Sequence, residues 1–86
     1  MPHYTYILQS EKTARYYCGQ CNDITNRLKR HNAGEMRSTK SGVPWNLIGY
    51  IPFNTRPEAM QLEEKIKGRG IKRWLEENSH LLITAR

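Results

Sequence analysis

Two segments near the N-terminus alternate between faces. Residues 3–9 (HYTYILQ) interleave aromatic and β-branched positions, and after the polar stretch Ser10 to Ala14, residues 15–19 (RYYCG) do so again, which predicts an antiparallel hairpin. The period then changes to that of a helix. Asn22 or Asp23 supplies an N-cap, Ile24, Arg27, Leu28 and His31 follow the i, i+3, i+4, i+7 spacing of one stripe, and Gly34 stops the helix after about Asn32. Residues 35–44 (EMRSTKSGVP) read as a polar, basic, mobile loop. Trp45 to Phe53 contains a third strand, with Pro52 placing its end at a sheet edge. Thr55-Arg56-Pro57-Glu58 is a capping box with proline in the first turn, and the helix it opens ends at Gly68-Arg69-Gly70. A last helix from Ile71 to Glu77 carries Ile71, Trp74 and Leu75, and Leu81 to Ile83 form an apolar tail. The order β-β-α-β-α-α predicts an α+β fold: a small antiparallel three-stranded sheet flanked by helices.

The helical stripes contain charge where apolar residues belong. Arg27 and His31 share the face of the only apolar anchors of the first helix, and Glu63 lies among Ala59, Leu62 and Ile66 on the second. An unpaired buried charge costs several kcal/mol, roughly, unless it is paired, bound to a metal or facing a cleft. The chemically bland alternative makes Arg27 and Glu63 a buried ion pair bridging the helices and His31 a satisfied core histidine.

Eighty-six residues suffice for one domain with a modest core. Fourteen Lys and Arg against eight Asp and Glu give a net charge of +6 and a pI near 9.6, which favours a polyanionic partner. The N-terminus lacks the basic and apolar regions of a signal peptide and no apolar run reaches membrane-spanning length, so a soluble, cytoplasmic protein with no membrane partner is expected. Cys18 and Cys21 form a CxxC pair, but a second ligand pair is absent and the pair sits at a strand end. Cys18 therefore reads as a small buried hydrophobe and Cys21 as a turn residue.

The first hairpin can bring Tyr6 and Tyr17 together on one face, with Gly19 leaving room for a close approach. Tyr4-Thr5-Tyr6, Tyr17-Cys18-Gly19, Arg27-Leu28, His31-Asn32, Pro44-Trp45 and Glu63 with Lys67 together resemble the GIY-YIG nuclease superfamily, specifically its small stand-alone bacterial, YhbQ-like branch. The likeness runs from about Tyr4 to Glu77 and includes the segment Gly68 to Glu76. It implies a catalytic set: Tyr6 as the tyrosine of the first motif, Tyr17 as base or polariser of water, Arg27 on the phosphate, His31 one turn later, and Glu63 as the single metal-binding carboxylate. Asn78 is a weaker match for a C-terminal polar helper. Thr5 and Cys18 replace the usual aliphatic centres of the two tripeptides, and Cys21 replaces a frequent threonine.

Phosphodiester hydrolysis needs an activated water, a cation on the non-bridging oxygens and stabilisation of the leaving oxygen, roles that fit Tyr17, one Mg²⁺ or Mn²⁺ ion held by Glu63, and Arg27. A free tyrosine, with a pKa near ~10, needs a neighbouring cation or the metal to act as base, and His31 could relay its proton. Lys29, Arg30, Arg37, Lys40, Lys65, Lys67, Arg69, Lys72 and Arg73 suggest a surface that tracks a nucleic-acid backbone, with loop 35–44 closing over substrate. The expectation is a single nuclease domain over 1–86, needing no organic cofactor and acting on DNA. No separate duplex-reading module is visible, and tyrosines exposed on a sheet would suit single-stranded or structured substrates. The alternatives are a non-catalytic nucleic-acid-binding module using the same surface, and an accessory subunit whose basic face binds an acidic protein.

Overall fold

The computed structural model describes residues 1–84. Three long strands, β1 (His3–Ser10), β2 (Tyr16–Cys21) and β3 (Trp45–Phe53), and a two-residue strand β4 (Ile83–Thr84) form one antiparallel sheet in the order β2-β1-β3-β4. The helices are α1 (Ile24–Asn32), α2 (Arg56–Arg69) and α3 (Ile71–Asn78). The predicted α+β class and element order hold, but the sheet has four strands and not three. Ile83 pairs with Tyr50 and Thr84 with Gly49, so the expected apolar tail contributes a strand too short to carry periodicity. Pro52 pairs with Tyr4 and lies beyond β4, so the far side of β3 is unpaired there, where a missing N–H costs nothing.

Alternation along β1 decides which helix covers which face. Tyr6 and Leu8 point to one side and pack with Ile24 and Leu28 of α1, and with Trp45. Ile7 and Cys18 point to the other and pack with Leu62 and Ile66 of α2 and with Ile71, Trp74 and Leu75 of α3. The caps follow the sequence: Asp23 accepts from the Asn26 amide at 3.0 Å, and Thr55 accepts from the Glu58 amide while giving its hydroxyl hydrogen to the Glu58 carboxylate at 2.8 Å. Thr5, buried within the sheet, donates to the Ala59 carbonyl at 2.7 Å and ties β1 to α2.

The CxxC pair is corrected in one half. β2 runs two residues beyond the predicted end, so Cys21 is a buried strand residue and not part of a turn. Because the cysteines stand three residues apart on a strand, they face opposite sides of the sheet and belong to different apolar clusters. Both are free thiols, and burial pushes Cys18 up to about 12. Neither redox pairing nor shared metal ligation fits that geometry.

Loop 35–44 is also corrected: it is pinned along its second half and is not a free flap. Thr39 and Gly42 are fully or nearly fully buried, a short 3-10 turn spans Lys40–Gly42, and the Ser10 hydroxyl donates to the Gly42 carbonyl. The Trp45 indole donates to the Thr39 carbonyl at 2.8 Å. Asn32, just inside the end of α1, holds the Trp45 backbone at both ends, accepting from its amide at 2.6 Å and donating to its carbonyl at 3.0 Å. A Cβ at Gly42 would lie 2.4 Å from the Trp45 ring, which these bonds prevent from moving aside. Gly42→Ala should therefore cost about 1–3 kcal/mol, read as a lower urea midpoint at unchanged m-value. An unchanged midpoint would mean that the loop yields.

Candidate active site

The hairpin register sets Tyr6 opposite Gly19 and Leu8 opposite Tyr17, which leaves Tyr6 and Tyr17 as diagonal neighbours on the α1 face. Their ring centroids are 6.3 Å apart. Gly19 lies inside the strand, and a Cβ there would stand 2.6 Å from the Tyr6 hydroxyl, so only glycine lets that hydroxyl sit against the backbone of β2.

Tyr6 is 1% exposed and His31 is 0% exposed, and they are bonded: the Tyr6 hydroxyl lies 2.9 Å from His31 Nε2. His31 Nδ1 lies 2.7 Å from the Thr39 hydroxyl, which lies 3.4 Å from the Met36 carbonyl. A carbonyl only accepts, so Thr39 donates to Met36 and accepts from His31 Nδ1–H. That leaves Nε2 as the acceptor for Tyr6. Burial, reinforced by Arg27 and Arg30, lowers His31 to about 4. Burial and the adjacent Tyr17 phenol push Tyr6 far above the usual phenol range, with Arg27 pulling the other way. Both groups are therefore neutral at pH 7, with the proton on the tyrosine oxygen. This arrangement orients Tyr6 and does not suit His31 as the proton relay expected from sequence.

Tyr17 is only half-buried. Its ring stands edge-on to His31 at 5.1 Å and near Trp45 at 6.3 Å, and the Lys67 ammonium lies 6.0 Å from its centroid. Lys67 also bonds Glu63 Oε2 at 2.6 Å. The Glu63 carboxylate raises Lys67 above its ordinary value, keeping it cationic. Lys67 thus reaches Tyr17 from α2, which packs on the opposite face of the sheet, by coming round the edge strand β2, and Glu63 is joined to it by the ion pair. Arg27, half-buried on α1, donates to the Gln20 carbonyl at 3.4 Å from the other side of the same strand.

The proposed ion pair between Arg27 and Glu63 is absent among the described residues, because Glu63 pairs with Lys67 and Arg27 with backbone. The other half of that bland alternative is right about burial, since both ring nitrogens of His31 are satisfied. Tyr6, Tyr17 and His31 are in mutual contact, Arg27 lies close enough to bias the titration of Tyr6 and His31, and Glu63 joins through Lys67. Sequence reasoning missed Thr39, the partner of His31. Its only advance sign was a hydroxyl residue in a polar loop.

Lys67 alone of the basic set is drawn into this cluster. Lys29, Arg30, Arg37, Lys40, Lys65, Lys72 and Arg73 are exposed, Arg30 lying 3.7 Å from Glu35, and Arg69 is tied to Glu77. Asn78 donates to the Trp74 carbonyl at 3.2 Å within its own helix. The exposed tyrosine surface expected from sequence is corrected: Tyr6 is buried and Tyr4, Tyr16, Tyr17 and Tyr50 are half-buried, because helices cover both faces of the sheet.

No cluster of three His, Cys, Asp or Glu occurs among the described residues, and Glu63 is the carboxylate bonded to the lysine beside Tyr17. A lone, partly exposed carboxylate fits a hard cation such as Mg²⁺, which keeps several waters and binds through one or two carboxylates plus substrate phosphates. It does not fit a structural zinc site.

A buried tyrosine lies against a glycine of β2, with an arginine on the first helix and a carboxylate on the second, in a small antiparallel α+β domain. The GIY-YIG catalytic domain family matches residues 2–75, and the chain belongs to that family. It is 36% identical over 73 residues to the UPF0213 protein YsiG of Lactococcus lactis, covering 83% of this chain and 68% of that one. It is 37% identical over 79 residues to a UPF0213 protein of Bacillus licheniformis, covering 87% and 80%. The solution NMR structure of a UPF0213 protein from Bacillus halodurans superposes with a TM-score of 0.57 at 29% identity, over 92% of this chain and 84% of that one.

Burial of His31 as a neutral ring makes stability depend on pH. The unfolded chain regains the ordinary value of 6.5, so between pH 6.5 and 4 it binds a proton that the folded state refuses. The stabilisation is complete above that window and is lost as pH falls through it, by roughly 3 kcal/mol at the lower end. Melting curves should decline over this interval more steeply for the wild type than for His31→Gln. Parallel curves would mean that His31 is not held neutral.

Proposed function

We propose that this chain is a divalent-metal-dependent endonuclease that hydrolyses phosphodiester bonds in DNA. The observation carrying this reading is the convergence on edge strand β2 of a half-exposed tyrosine, a lysine-paired carboxylate from α2 and an arginine from α1. Family membership supports the class of reaction. In this mechanism the Tyr17 hydroxyl, the more exposed of the two, orients and deprotonates the attacking water. The Lys67 ammonium stands 6.0 Å from the centre of its ring. Arg27 places its guanidinium fork on the non-bridging oxygens, where negative charge builds in the transition state. Tyr6, held by His31 and Thr39, is a positioning residue that fixes the floor beneath Gly19 and Tyr17. Mg²⁺ or Mn²⁺, one ion bound through Glu63 with water and phosphate oxygens, would supply positive charge at the leaving oxygen.

Single-stranded or structured DNA is the preferred substrate in this reading. Support comes from a cleft of about 360 Å³ in which the edge-to-face pair Tyr4 and Tyr50 stands with Ile24 and Leu47 opposite the polar Asn22, Asp23 and Thr25, so that an unstacked base would meet an aromatic wall and polar partners.

Tyr17→Phe keeps the ring and its contacts, so single-turnover cleavage should fall on the order of a hundredfold while DNA affinity changes little. Full activity in that variant would remove Tyr17 from the chemistry. Glu63→Gln should abolish cleavage at every Mn²⁺ concentration yet leave melting nearly unchanged, because a partly exposed pair with Lys67 contributes only about 0–1 kcal/mol. Retained cleavage with a large drop in melting temperature would assign Glu63 a structural role.

A further inference from the structure

β2 does not end at the catalytic cluster. Beyond Gly19 it runs on to Cys21, and at its end a second cleft of about 280 Å³ opens, lined by His3, Gln20, Cys21, Asn22, Arg27 and Arg56. Its wall is almost wholly polar. Two guanidinium groups reach it from different helices, Arg27 from α1 and Arg56 from the first turn of α2, and no carboxylate is among its lining residues. His3, one of its lining residues, carries the one buried side-chain nitrogen or oxygen without a hydrogen-bond partner among the described residues, Nδ1. Leaving such an atom unsatisfied costs about 1–3 kcal/mol, so it calls for a hydrogen-bond partner.

We propose that this cleft is a second phosphate subsite, which holds a phosphodiester of the DNA strand flanking the one that is cleaved. The inference rests on the nuclease reading for its substrate, but its geometry is separate. The Arg56 fork matches the two non-bridging oxygens of a phosphodiester, His3 and the Asn22 and Gln20 amides supply further polar partners, and Arg27 stands between this cleft and the catalytic cluster. Arg27 is common to both sites. From Gly19 to Asn22 is about 10 Å of strand, so a DNA strand lying along the open edge of β2 would meet the catalytic cluster and then this cleft. Arg56 thereby fixes which bond along the strand is presented to Tyr17.

The test uses fluorescein-labelled decathymidylate in the absence of divalent metal, with anisotropy followed across a salt series. Arg56→Gln should weaken binding roughly tenfold and reduce the slope of log Kd against log salt by about one. His3→Ala should weaken it in the same direction. Lys12→Gln removes an equal charge from the exposed turn between β1 and β2 and should shift affinity less than twofold. Wild-type affinity and slope in Arg56→Gln, or an equal loss in Lys12→Gln, would overturn the subsite. Cleavage by the wild type with Mn²⁺ is measured separately. Absence of cleavage alongside a specific Arg56 effect overturns the nuclease reading and supports the subsite, whereas cleavage with no Arg56 effect does the reverse.

Discussion

The hydrogen-bond chain from Tyr6 through His31 to Thr39 is the constraint on which the rest of the molecule depends. Each such bond contributes only about 1 kcal/mol net, but an unmade bond at these depths costs the full desolvation of the stranded group, about 1–3 kcal/mol. The three residues come from β1, α1 and the loop before β3, so satisfying them fixes the relative placement of three elements. The chain has its own supports. Trp45 and Met36 hold Thr39, Asn32 holds Trp45, and Ser10 closes the loop at Gly42. At its other end Gly19 has no side chain, and that vacancy is where the Tyr6 hydroxyl lies. A polar network buried this deeply is tolerable because every member has a partner.

Charge is arranged on a different principle. The buried groups of the cluster are neutral, with His31 held down and Tyr6 held up, while the cations stand at its rim. Lys67 and Arg27 flank β2 from opposite faces of the sheet, and Glu63, already engaged by Lys67, sits behind them. A lysine–carboxylate pair that is partly open to water is weak, so exchanging the ammonium for a hydrated divalent cation costs little. The freed lysine stays close to Tyr17. The salt bridge of Glu63 with Lys67 is therefore compatible with the metal role proposed for that carboxylate.

Most of the fold was legible because local periodicity and long elements go together. The strand alternation around Tyr4 and Tyr6, the Asp23 and Thr55 caps and the Gly70 stop are signals contained within a few residues. The two stripes interrupted by Arg27, His31 and Glu63 were equally readable, since charge on an apolar face departs from a pattern that is itself local. What escaped was non-local. β4 has two residues and exists only through pairing with Gly49 and Tyr50. The loop from Glu35 to Pro44 has loop composition, and its order comes from Ser10, His31 and Trp45, residues outside it. Nor could spacing reveal that Glu63 approaches from the face opposite Tyr6, because the path round β2 is a property of the assembled sheet.

That path explains why the candidate site lies at an edge. A three-layer domain of this size covers both sheet faces with helices and has no deep interior to spare for a nucleic-acid strand. An edge strand is different: β2 pairs only with β1, so its outer side carries unsatisfied backbone groups that invite pairing with another chain. Proteins blunt such edges with charge. Here the guarding charges are Arg27 and Lys67, and positive charge along an open strand is also what a phosphodiester backbone requires. One placement of side chains thus keeps β2 from recruiting a foreign strand and gives a polyanion a track beside Tyr17. The same logic accounts for the use of α1 and α2 together: a strand edge has two flanks, and only helices from opposite layers can reach both.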